Sequence, residues 1–255
     1  MNVRILGCGT STGVPKIGND WGQCDPDEPH NARLRTSILV ESAGKRMLVD
    51  CGPDLRQQLL SAEVDRLDGV IVTHAHGDHC HGIDELRPVS QAMGGAVPLY
   101  GRRDVLDELE LRFAYAFEQS HFYRPIAEAR EIGDELSIGD ARVRFADQPH
   151  GGTTSLGLRF DEGQFAVGYA IDFSGLTADM ADLYKGVDVW IADCLTRKPH
   201  PTHMHLDGVL SAARDLRVGQ LYLVHMGNGL DYRTLAAELP DWAAPAYDGL
   251  EFTSP

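Results

Sequence analysis

The sequence predicts an α/β (α+β) protein in which two mixed β-sheets pack face to face and carry helices on their outer faces. Runs of β-branched and apolar residues, typical of strands, recur along the whole 255-residue chain. Segments with apolar residues at helical spacing lie between these runs. The strands come in groups before each helix and do not alternate strictly with helices, which favours mixed sheets over a purely parallel array.

Each predicted strand is a short run of β-branched or apolar residues. In chain order the strands are Val3 to Leu6, Thr36 to Glu41, Arg46 to Asp50, Gly69 to Thr73, Ala141 to Ala146, Ser155 to Phe160, Phe165 to Ile171, Val187 to Ala192 and Gln220 to Val224. Each predicted helix has apolar residues three or four positions apart. In chain order the helices are Asp54 to Ser61, His81 to Met93, Asp104 to Gln119, Leu176 to Tyr184, Asp207 to Leu216 and Tyr232 to Leu239.

Two segments interrupt this pattern. Gly7 to Pro15 is a glycine-rich loop directly after the first strand. It does not match a P-loop, because no lysine follows its last glycine at the required spacing. It is therefore either a cradle for a phosphate or a tight turn that needs positive φ. Gly18 to Asn31, which holds Cys24, is predicted to be a long surface loop. Because the chain has no linker, low-complexity tract or short repeat, residues 1–255 are expected to form a single domain.

The charge of the chain limits its partners. The sequence has 23 Lys and Arg against 38 Asp and Glu, a formal net charge of −15. This field repels polyanions, so long nucleic acids are not expected to bind, whereas metal ions can hold a small anion locally. The five cysteines form no CxxC pair, no secretory signal is visible, and no apolar run approaches the ~20 residues of a membrane span. We therefore expect a cytoplasmic protein without a membrane partner.

The most informative segment is Thr73 to His79, which follows the apolar run Val70 to Val72. It holds four side chains that can bind metal within six positions: His74, His76, Asp78 and His79. If a strand ends here, its alternating side chains place the first two histidines on the same side, and the other two residues enter the following turn. One ion needs three or four ligands and a free position for water, so this density predicts two incomplete metal sites that await further ligands.

Three single polar residues elsewhere are candidates to complete these sites, because they lie at the ends of predicted strands. They are His150, Asp172 and His225. Taken alone, either histidine is also compatible with an ordinary turn position, and the aspartate with a cap of the turn that follows it. The dense first cluster is what makes them expected partners, because its groups would desolvate and repel one another without a cation.

The order of these residues, HxHxDH followed by a lone His, an Asp and a terminal His, resembles the binuclear metallo-β-lactamase-fold hydrolases. The resemblance implies an αββα sandwich of the metallo-β-lactamase type with two divalent ions. One ion would be held by His74, His76 and His150, and the other by Asp78, His79 and His225. Asp172 would bridge both. Zinc, manganese and iron all suit such ligands, so the metal stays open.

Within this superfamily the chain resembles the phosphodiesterase branch, which includes phosphoribosyl cyclic phosphodiesterases and tRNA 3′-processing endonucleases. Three features carry this resemblance: the loop from Gly7 to Pro15, Asp172 in place of a bridging Cys, and His203, which lies 22 positions before His225. This spacing resembles that between the catalytic histidine of the branch and its terminal ligand, so the resemblance implies a catalytic role for His203. His205 is the competing choice for a role in substrate contact, the alternative being that it only begins the helix at Leu206.

The chain also departs from both named families. The phosphoribosyl enzyme holds a structural zinc through clustered cysteines and a later histidine, but this chain has only Cys24 in the matching loop and Met226, Gly227 and Asn228 after His225, so that zinc is not expected. The tRNA enzymes use a protruding basic arm. Asp104 to Glu131 instead carries seven acids against three arginines and is predicted to be an ordinary helix plus loop, which disfavours tRNA.

The resemblance therefore implies a metal-dependent hydrolase that directs a water, activated between two ions, at a small or cyclic phosphodiester. Asp78 would orient this water or accept its proton, and His203 would stabilise the transition state or protonate the departing alkoxide. Arg35, Lys198 and Arg197 are candidates for substrate contact, with solvated surface charge as the alternative.

Several alternatives stay open at this point. A thioester or lactone hydrolase of the same fold would use the same ions. A noncatalytic metal-binding protein would not need to retain all eight of these residues, and a flavodiiron-type redox protein would require an additional flavin or electron-delivery module. The sequence leaves the substrate, the native metal and the oligomeric state open, with a homodimer as one arrangement.

Overall fold

A computed structural model describes residues 1–120 and 122–254 and shows two mixed sheets of seven strands each within that part of the chain. The first sheet has the order β14-β1-β2-β3-β4-β5-β6. Its strands are β1 (Asn2–Gly7), β2 (Ser37–Ser42), β3 (Lys45–Val49), β4 (Gly69–Ile71), β5 (Val97–Gly101), β6 (Ala127–Glu131) and β14 (Glu251–Thr253).

The second sheet has the order β13-β12-β11-β10-β9-β8-β7. Its strands are β7 (Glu135–Ile138), β8 (Ala141–His150), β9 (Thr153–Glu162), β10 (Phe165–Ala170), β11 (Val189–Asp193), β12 (Gln220–Val224) and β13 (Ala243–Pro245). In both sheets an antiparallel part passes into a parallel part, at β3 in the first and at β10 in the second. The parallel strands therefore end at one edge of each sheet, where loops can bring polar side chains together.

The helices cover the outer faces of the two sheets. They are α1 (Leu55–Ser61), α2 (Gly77–Cys80), α3 (Leu86–Met93), α4 (Arg103–Arg112), α5 (Ala114–Phe117), α6 (Ala178–Tyr184), α7 (Leu206–Leu216) and α8 (Tyr232–Glu238). Strand alternation divides the core into two layers, as β2 shows: Ile38 and Val40 belong to the cluster shared with the second sheet, whereas Leu39 belongs to the cluster shared with α1, α3 and α4. These layers confirm the predicted αββα sandwich.

Five strands were missed by the sequence pattern, namely β5, β6, β7, β13 and β14. Three of them are short or interrupted by proline, and β6 has the polar sequence Ala-Glu-Ala-Arg-Glu at the edge of its sheet. An edge strand forms hydrogen bonds with only one neighbouring strand and is exposed to water on its other side. Its sequence therefore need not show an apolar pattern. The prediction of a loop up to Glu131 is therefore wrong, because residues 127–131 pair with β5.

Other boundaries also differ from the sequence pattern. The predicted helix His81 to Met93 consists of a 3₁₀ turn, Ile83–Glu85, followed by α3. The predicted helix Asp104 to Gln119 divides at Phe113, whose φ of −120° and ψ of 36° separate α4 from α5. Cys24 lies in the irregular segment predicted as a surface loop, but its side chain is buried. In the described residues, every helix is too short or too polar to cross a membrane.

We expect Asp248 to make stability depend on pH. Its carboxylate accepts hydrogen bonds from the amides of Cys8 and Leu34, and burial raises its pKa to about 6 although these bonds oppose the shift. Because the unfolded carboxyl ionises near pH 4, the wild type should lose about 2 kcal/mol of unfolding free energy relative to Asp248→Asn as pH rises from ~4 to ~7.

Urea unfolding of both proteins in a chelating buffer, repeated at several pH values, measures this difference. The exposed Asp241→Asn variant is the control, because it removes a carboxylate from the same segment. Parallel stability curves for the wild type and Asp248→Asn would contradict the prediction.

Candidate metal centre

Strand ends bring the predicted ligands together at one edge of the sandwich. The segment from His74 to His79 follows β4 and enters α2, and His150 is the last residue of β8. Asp172 lies two positions beyond β10, and His225 follows β12 directly. All but His76 and Asp78 are buried to more than nine-tenths, so the two sheets enclose most of the cluster.

Close backbone packing fixes the segment that carries the first four residues. The amide of Cys51 donates to the carbonyl oxygen of His79 at 2.8 Å, and the amide of Gly82 donates to the carbonyl oxygen of Cys51 at 2.7 Å. A side chain at Gly52 would lie 2.0 Å from the carbonyl oxygen of Asp78. Only glycine allows the loop after β3 to support the HxHxDH segment this closely.

Asp172 lies at the centre of the cluster. Its Oδ2 is 3.3 Å from His150 Nε2, 3.4 Å from His74 Nε2 and 3.6 Å from His79 Nε2, while its Oδ1 is 3.3 Å from His225 Nδ1. Among the described residues, three groups of possible ligand atoms share this carboxylate, and within each group the atoms lie within 4.8 Å of one another. One of them joins Asp172 to Asp193 and His203, and the other two contain the predicted ligands. They are His74, His76, His150 and Asp172, and Asp78, His79, Asp172 and His225.

Hydrogen bonds orient the imidazoles from behind. His79 Nδ1 lies 2.8 Å from Asp50 Oδ2, and His150 Nδ1 lies 2.9 Å from the carbonyl oxygen of Thr202. Both partners can only accept, so Nδ1 donates the hydrogen bond and Nε2 is the nitrogen that faces the cluster. Asp50 also accepts hydrogen bonds from the amide and hydroxyl of Thr73, at 2.8 and 3.0 Å, which couples this carboxylate to the start of the HxHxDH segment.

The electrostatics of the cluster favour a cation. Burial lowers the pKa values of His76, His150 and His225, the last to about 4, so these imidazoles are neutral ligands at pH 7. Burial also opposes a charge on His79, yet Asp78, Asp172 and Asp50 outweigh it and raise its pKa well above the usual value. These carboxylates therefore make the electrostatic potential negative at the point where the histidine nitrogens converge.

The unsatisfied atoms test whether metal ions fit. His79 Nε2 and Asp172 Oδ1 are buried and have no hydrogen-bond partner in the described residues, although both face the shared centre. Unpaired buried polar atoms are costly, and a cation satisfies them together with the converging histidine nitrogens. The donor set of imidazole nitrogens and carboxylate oxygens fits divalent ions such as zinc, manganese or iron.

A second buried pair adjoins the cluster. His203 Nδ1 lies 2.9 Å from Asp193 Oδ2 and 4.0 Å from Asp172 Oδ1, and its ring stacks on that of His225 with centroids 5.1 Å apart. Burial raises the pKa of Asp193 to about 7, although the hydrogen bond from His203 opposes this. Burial lowers the pKa of His203, but the hydrogen bond and charge of Asp193 outweigh it and raise the net value. Both shifts favour the protonated form of the group concerned.

A cleft of about 450 Å³ opens onto these groups. Its lining also includes Ser11 from the loop after β1, the residues Gly151, Gly152 and Thr153 that follow His150, and Thr202. A side chain at Gly151 would lie 2.2 Å from Thr202 Cγ2, so this glycine allows the β8–β9 hairpin to pack against the loop that carries His203.

The other predicted contact residues lie outside the lining of this cleft. Arg35 forms a 2.8 Å ion pair with Asp54. Lys198 is exposed, and Arg197 pairs with Glu238 at 2.6 Å. His205 is the residue before α7, whereas His203 lines the cleft.

Sequence reasoning missed Asp50 and Asp193, which orient His79 and His203. A usable signal was present, because each is a carboxylate at the end of an apolar strand or directly after it, as Asp172 nearly is. Ser11 and Thr202 carry no comparable signal, because hydroxyl residues in loops are common.

Comparison with known proteins identifies the class. A family model described as the beta-lactamase superfamily domain matches residues 45–226, and the chain belongs to this superfamily of metallo-β-lactamase-fold hydrolases. A crystal structure of a new diphosphatase from the PhnP family is 33% identical, with a TM-score of 0.89 over 98% of this chain and 96% of the other. The short form of human tRNase Z shares the fold at 18% identity, with a TM-score of 0.73 over the full length of both chains. These findings confirm the predicted resemblance.

Two curated relatives extend the comparison. An octanoyltransferase of Porphyromonas gingivalis is 32% identical over 257 aligned residues, which cover 98% of this chain and 51% of that protein. A ribonuclease Z of Bacillus thuringiensis is 27% identical over 147 residues, 56% of this chain and 44% of that protein. The chain thus spans about half the length of the curated relatives it matches.

We predict that the purified protein binds two equivalents of zinc or manganese. Asp172→Ala removes the shared ligand and should abolish tight binding of both ions, whereas His150→Ala should remove about one equivalent. Elemental analysis after gel filtration measures the stoichiometry. His205→Ala is the matched control and should retain two equivalents. Equal metal content in Asp172→Ala and the wild type would refute the assignment.

Proposed function

We propose that this protein is a binuclear metal-dependent phosphodiesterase that hydrolyses a small or cyclic phosphodiester. The observation that carries the proposal is the Asp193–His203 pair, in which a 2.9 Å hydrogen bond fixes the imidazole of His203 at the cleft, 4.0 Å from the carboxylate of Asp172. An alkoxide leaving group requires protonation as the P–O bond breaks, and a positioned imidazolium supplies that proton.

The residues of the site would have separate roles in the reaction. His74, His76, His150 and Asp172 would hold one divalent ion, and Asp78, His79, Asp172 and His225 the other. When bound, such ions supply Lewis acidity that lowers the pKa of a water and neutralises phosphoryl charge. Asp78 lines the cleft and is positioned to orient that water or accept its proton. His203 donates its proton to the departing oxygen, and Asp193 fixes the ring and stabilises its positive charge.

The size and charge of the chain favour a small substrate. The cleft of about 450 Å³ accommodates a small molecule, and the net charge of −15 opposes a long phosphate backbone. The diphosphatase relative, 33% identical over nearly the whole chain, supports P–O bond hydrolysis. A diphosphate and a phosphodiester share the feature that matters here, a phosphoryl group with a leaving oxygen on one side.

Acyl transfer or hydrolysis of a thioester or lactone is the second candidate, and the octanoyltransferase relative is the observation that favours it. That relative is about twice as long as the matched region, so its activity belongs to the whole protein. The described cleft lining consists of histidines, aspartates, hydroxyl residues and glycines, and it offers no apolar wall for an acyl chain. This lining supports the phosphoryl substrate over the acyl one.

Turnover on a substrate panel tests the proposal. The zinc- or manganese-loaded protein is assayed on cyclic phosphates, alkyl and aryl phosphodiesters, diphosphates, RNA ends, thioesters and lactones. We expect the highest kcat/KM on a small phosphodiester, with loss of turnover on chelation and recovery on adding metal. Activity confined to thioesters or lactones would overturn the phosphodiesterase proposal and leave the fold assignment intact.

We predict that His203→Ala keeps both metals but loses activity according to the leaving group. Alkyl phosphodiesters, whose alkoxide needs a proton, should lose about 10²–10⁴-fold in kcat, whereas p-nitrophenyl esters should lose less than about tenfold. Asp193→Asn should lose part of the same selective activity.

His205→Ala is the matched comparison, because this histidine lies outside the cleft lining. An equal loss on alkyl and aryl substrates would show that His203 does not act as a proton donor. Selective loss in His205→Ala instead would transfer this role to His205.

A further inference from the structure

The glycine-rich segment Gly7 to Pro15 borders the cleft, although the proposed reaction makes no use of it. Within this segment, Ser11 lines the cleft together with Asp78 and His225. The sequence leaves two roles open for the segment, a phosphate cradle or a tight turn. The contacts of the segment separate these roles.

The base of the segment is fixed against the His225 loop. Gly9 forms parallel bridges with both Arg35 and Met226, and the amide of Met226 donates to the carbonyl oxygen of Cys8 at 2.9 Å. The hydroxyl of Thr36 donates to the carbonyl oxygen of Gly9 at 2.8 Å and lies 3.3 Å from His225 Nδ1. Any side chain on this segment therefore has a defined position relative to the candidate metal centre.

The glycines at the base are explained by packing. A side chain at Gly7 would lie 2.1 Å from the carbonyl oxygen of Arg35, and one at Gly9 would lie 2.9 Å from that of Arg33. These glycines let the segment pass close to the strand that follows, and they make no contribution to the cleft lining. The tip of the motif contributes Ser11 to the cleft lining, whereas the hydroxyl of Thr12 donates to the carbonyl oxygen of Gly13 at 3.2 Å.

Hydrogen-bond donors at the tip are free to bind a ligand. The amide of Gly13 donates to the carbonyl oxygen of Thr10 at 2.8 Å, which closes a tight turn around Ser11 and Thr12. Among the described residues, the amides of Gly9, Thr10, Gly13 and Val14 donate to backbone oxygens, but those of Ser11 and Thr12 have no protein acceptor. The hydroxyl of Ser11 likewise has no protein partner in the described chain, and both residues are exposed.

Arg35 fixes the orientation of the turn. Its Nε donates to the carbonyl oxygen of Ser11 at 3.2 Å, while its Nη1 forms the 2.8 Å ion pair with Asp54. The carbonyl of Ser11 and the amide of Thr12 belong to one planar trans peptide, in which the two groups point in opposite directions. Because Arg35 engages the oxygen, the Thr12 amide is directed away from it, and Arg35 acts on the cleft only through this turn.

We propose that the Ser11 hydroxyl and the adjoining turn amides form a subsite for an anionic oxygen of the substrate phosphoryl group. The subsite lies on the His225 side of the cleft and is distinct from the wall of Gly151, Gly152, Thr153 and Thr202 beside His150. The identity of the anion as a phosphoryl oxygen rests on the proposed function. Turn amides and hydroxyls suit this role because they donate hydrogen bonds to an anion without titrating near neutral pH.

Binding of inorganic phosphate to the zinc-loaded protein tests the subsite by calorimetry. Ser11→Ala should weaken phosphate binding about tenfold and raise KM for a phosphodiester more than it lowers kcat, because one charge-assisted hydrogen bond is lost. Ser11→Thr keeps the hydroxyl at an exposed position and should stay within about twofold of the wild type. Ser137→Ala, at an exposed serine of β7, is the matched control, and all variants should retain the wild-type metal content.

The outcomes separate this subsite from the proposed function. Unchanged phosphate affinity in Ser11→Ala, or no phosphate binding by the wild type, overturns the subsite. Equal weakening in Ser11→Ala and Ser11→Thr also overturns it, because the hydroxyl would then be irrelevant. Phosphate binding that Ser11→Ala weakens, without turnover of any phosphodiester or diphosphate, supports the anion subsite and overturns the phosphodiesterase proposal.

Discussion

The carboxylate of Asp172 is the constraint on which the rest of the site depends. Its two oxygens approach four histidines that come from three different segments of the chain, at distances of 3.3 to 3.6 Å. Burial opposes a negative charge on this carboxylate, but its interactions with His225 and His79 outweigh burial and hold its pKa well below the usual value. The loops of both sheets therefore converge on one point, where the histidine nitrogens and the carboxylate suit a cation.

The two sheets contribute to this point in a similar way. Each sheet passes from antiparallel to parallel pairing, and buried carboxylates follow strands at or near that transition: Asp50 after β3, Asp172 after β10 and Asp193 at the end of β11. Asp50 holds His79 in the first half and Asp193 holds His203 in the second. His79 is a predicted metal ligand, whereas His203 lies beside the predicted ligands. A buried carboxylate therefore orients the histidine in both cases, although the two histidines have different roles.

The sequence predicted what is encoded locally. The HxHxDH segment is contiguous, and the central strands of both sheets are buried, so composition and spacing were sufficient to find them. Asp50 and Asp193 were missed because their importance depends on His79 and His203, with which they make contact only after folding. Edge strands such as β6 were missed because an edge position places no apolar demand on its residues. The choice between His203 and His205 depends on the path of one loop, which spacing alone does not determine.

Three residues at the strand ends, Asp50, Asp172 and His225, adopt left-handed backbone conformations with φ of 62°, 53° and 57°. Non-glycine residues rarely adopt this conformation, and each such position costs roughly 1 kcal/mol, with Asp and His among the side chains that tolerate it best. Glycine would relieve this strain at all three positions while removing the polar group. Backbone energy therefore favours glycine at these positions, whereas function favours Asp or His. Without selection for activity, substitutions at this edge of the sandwich would accumulate that make the protein more stable and inactive.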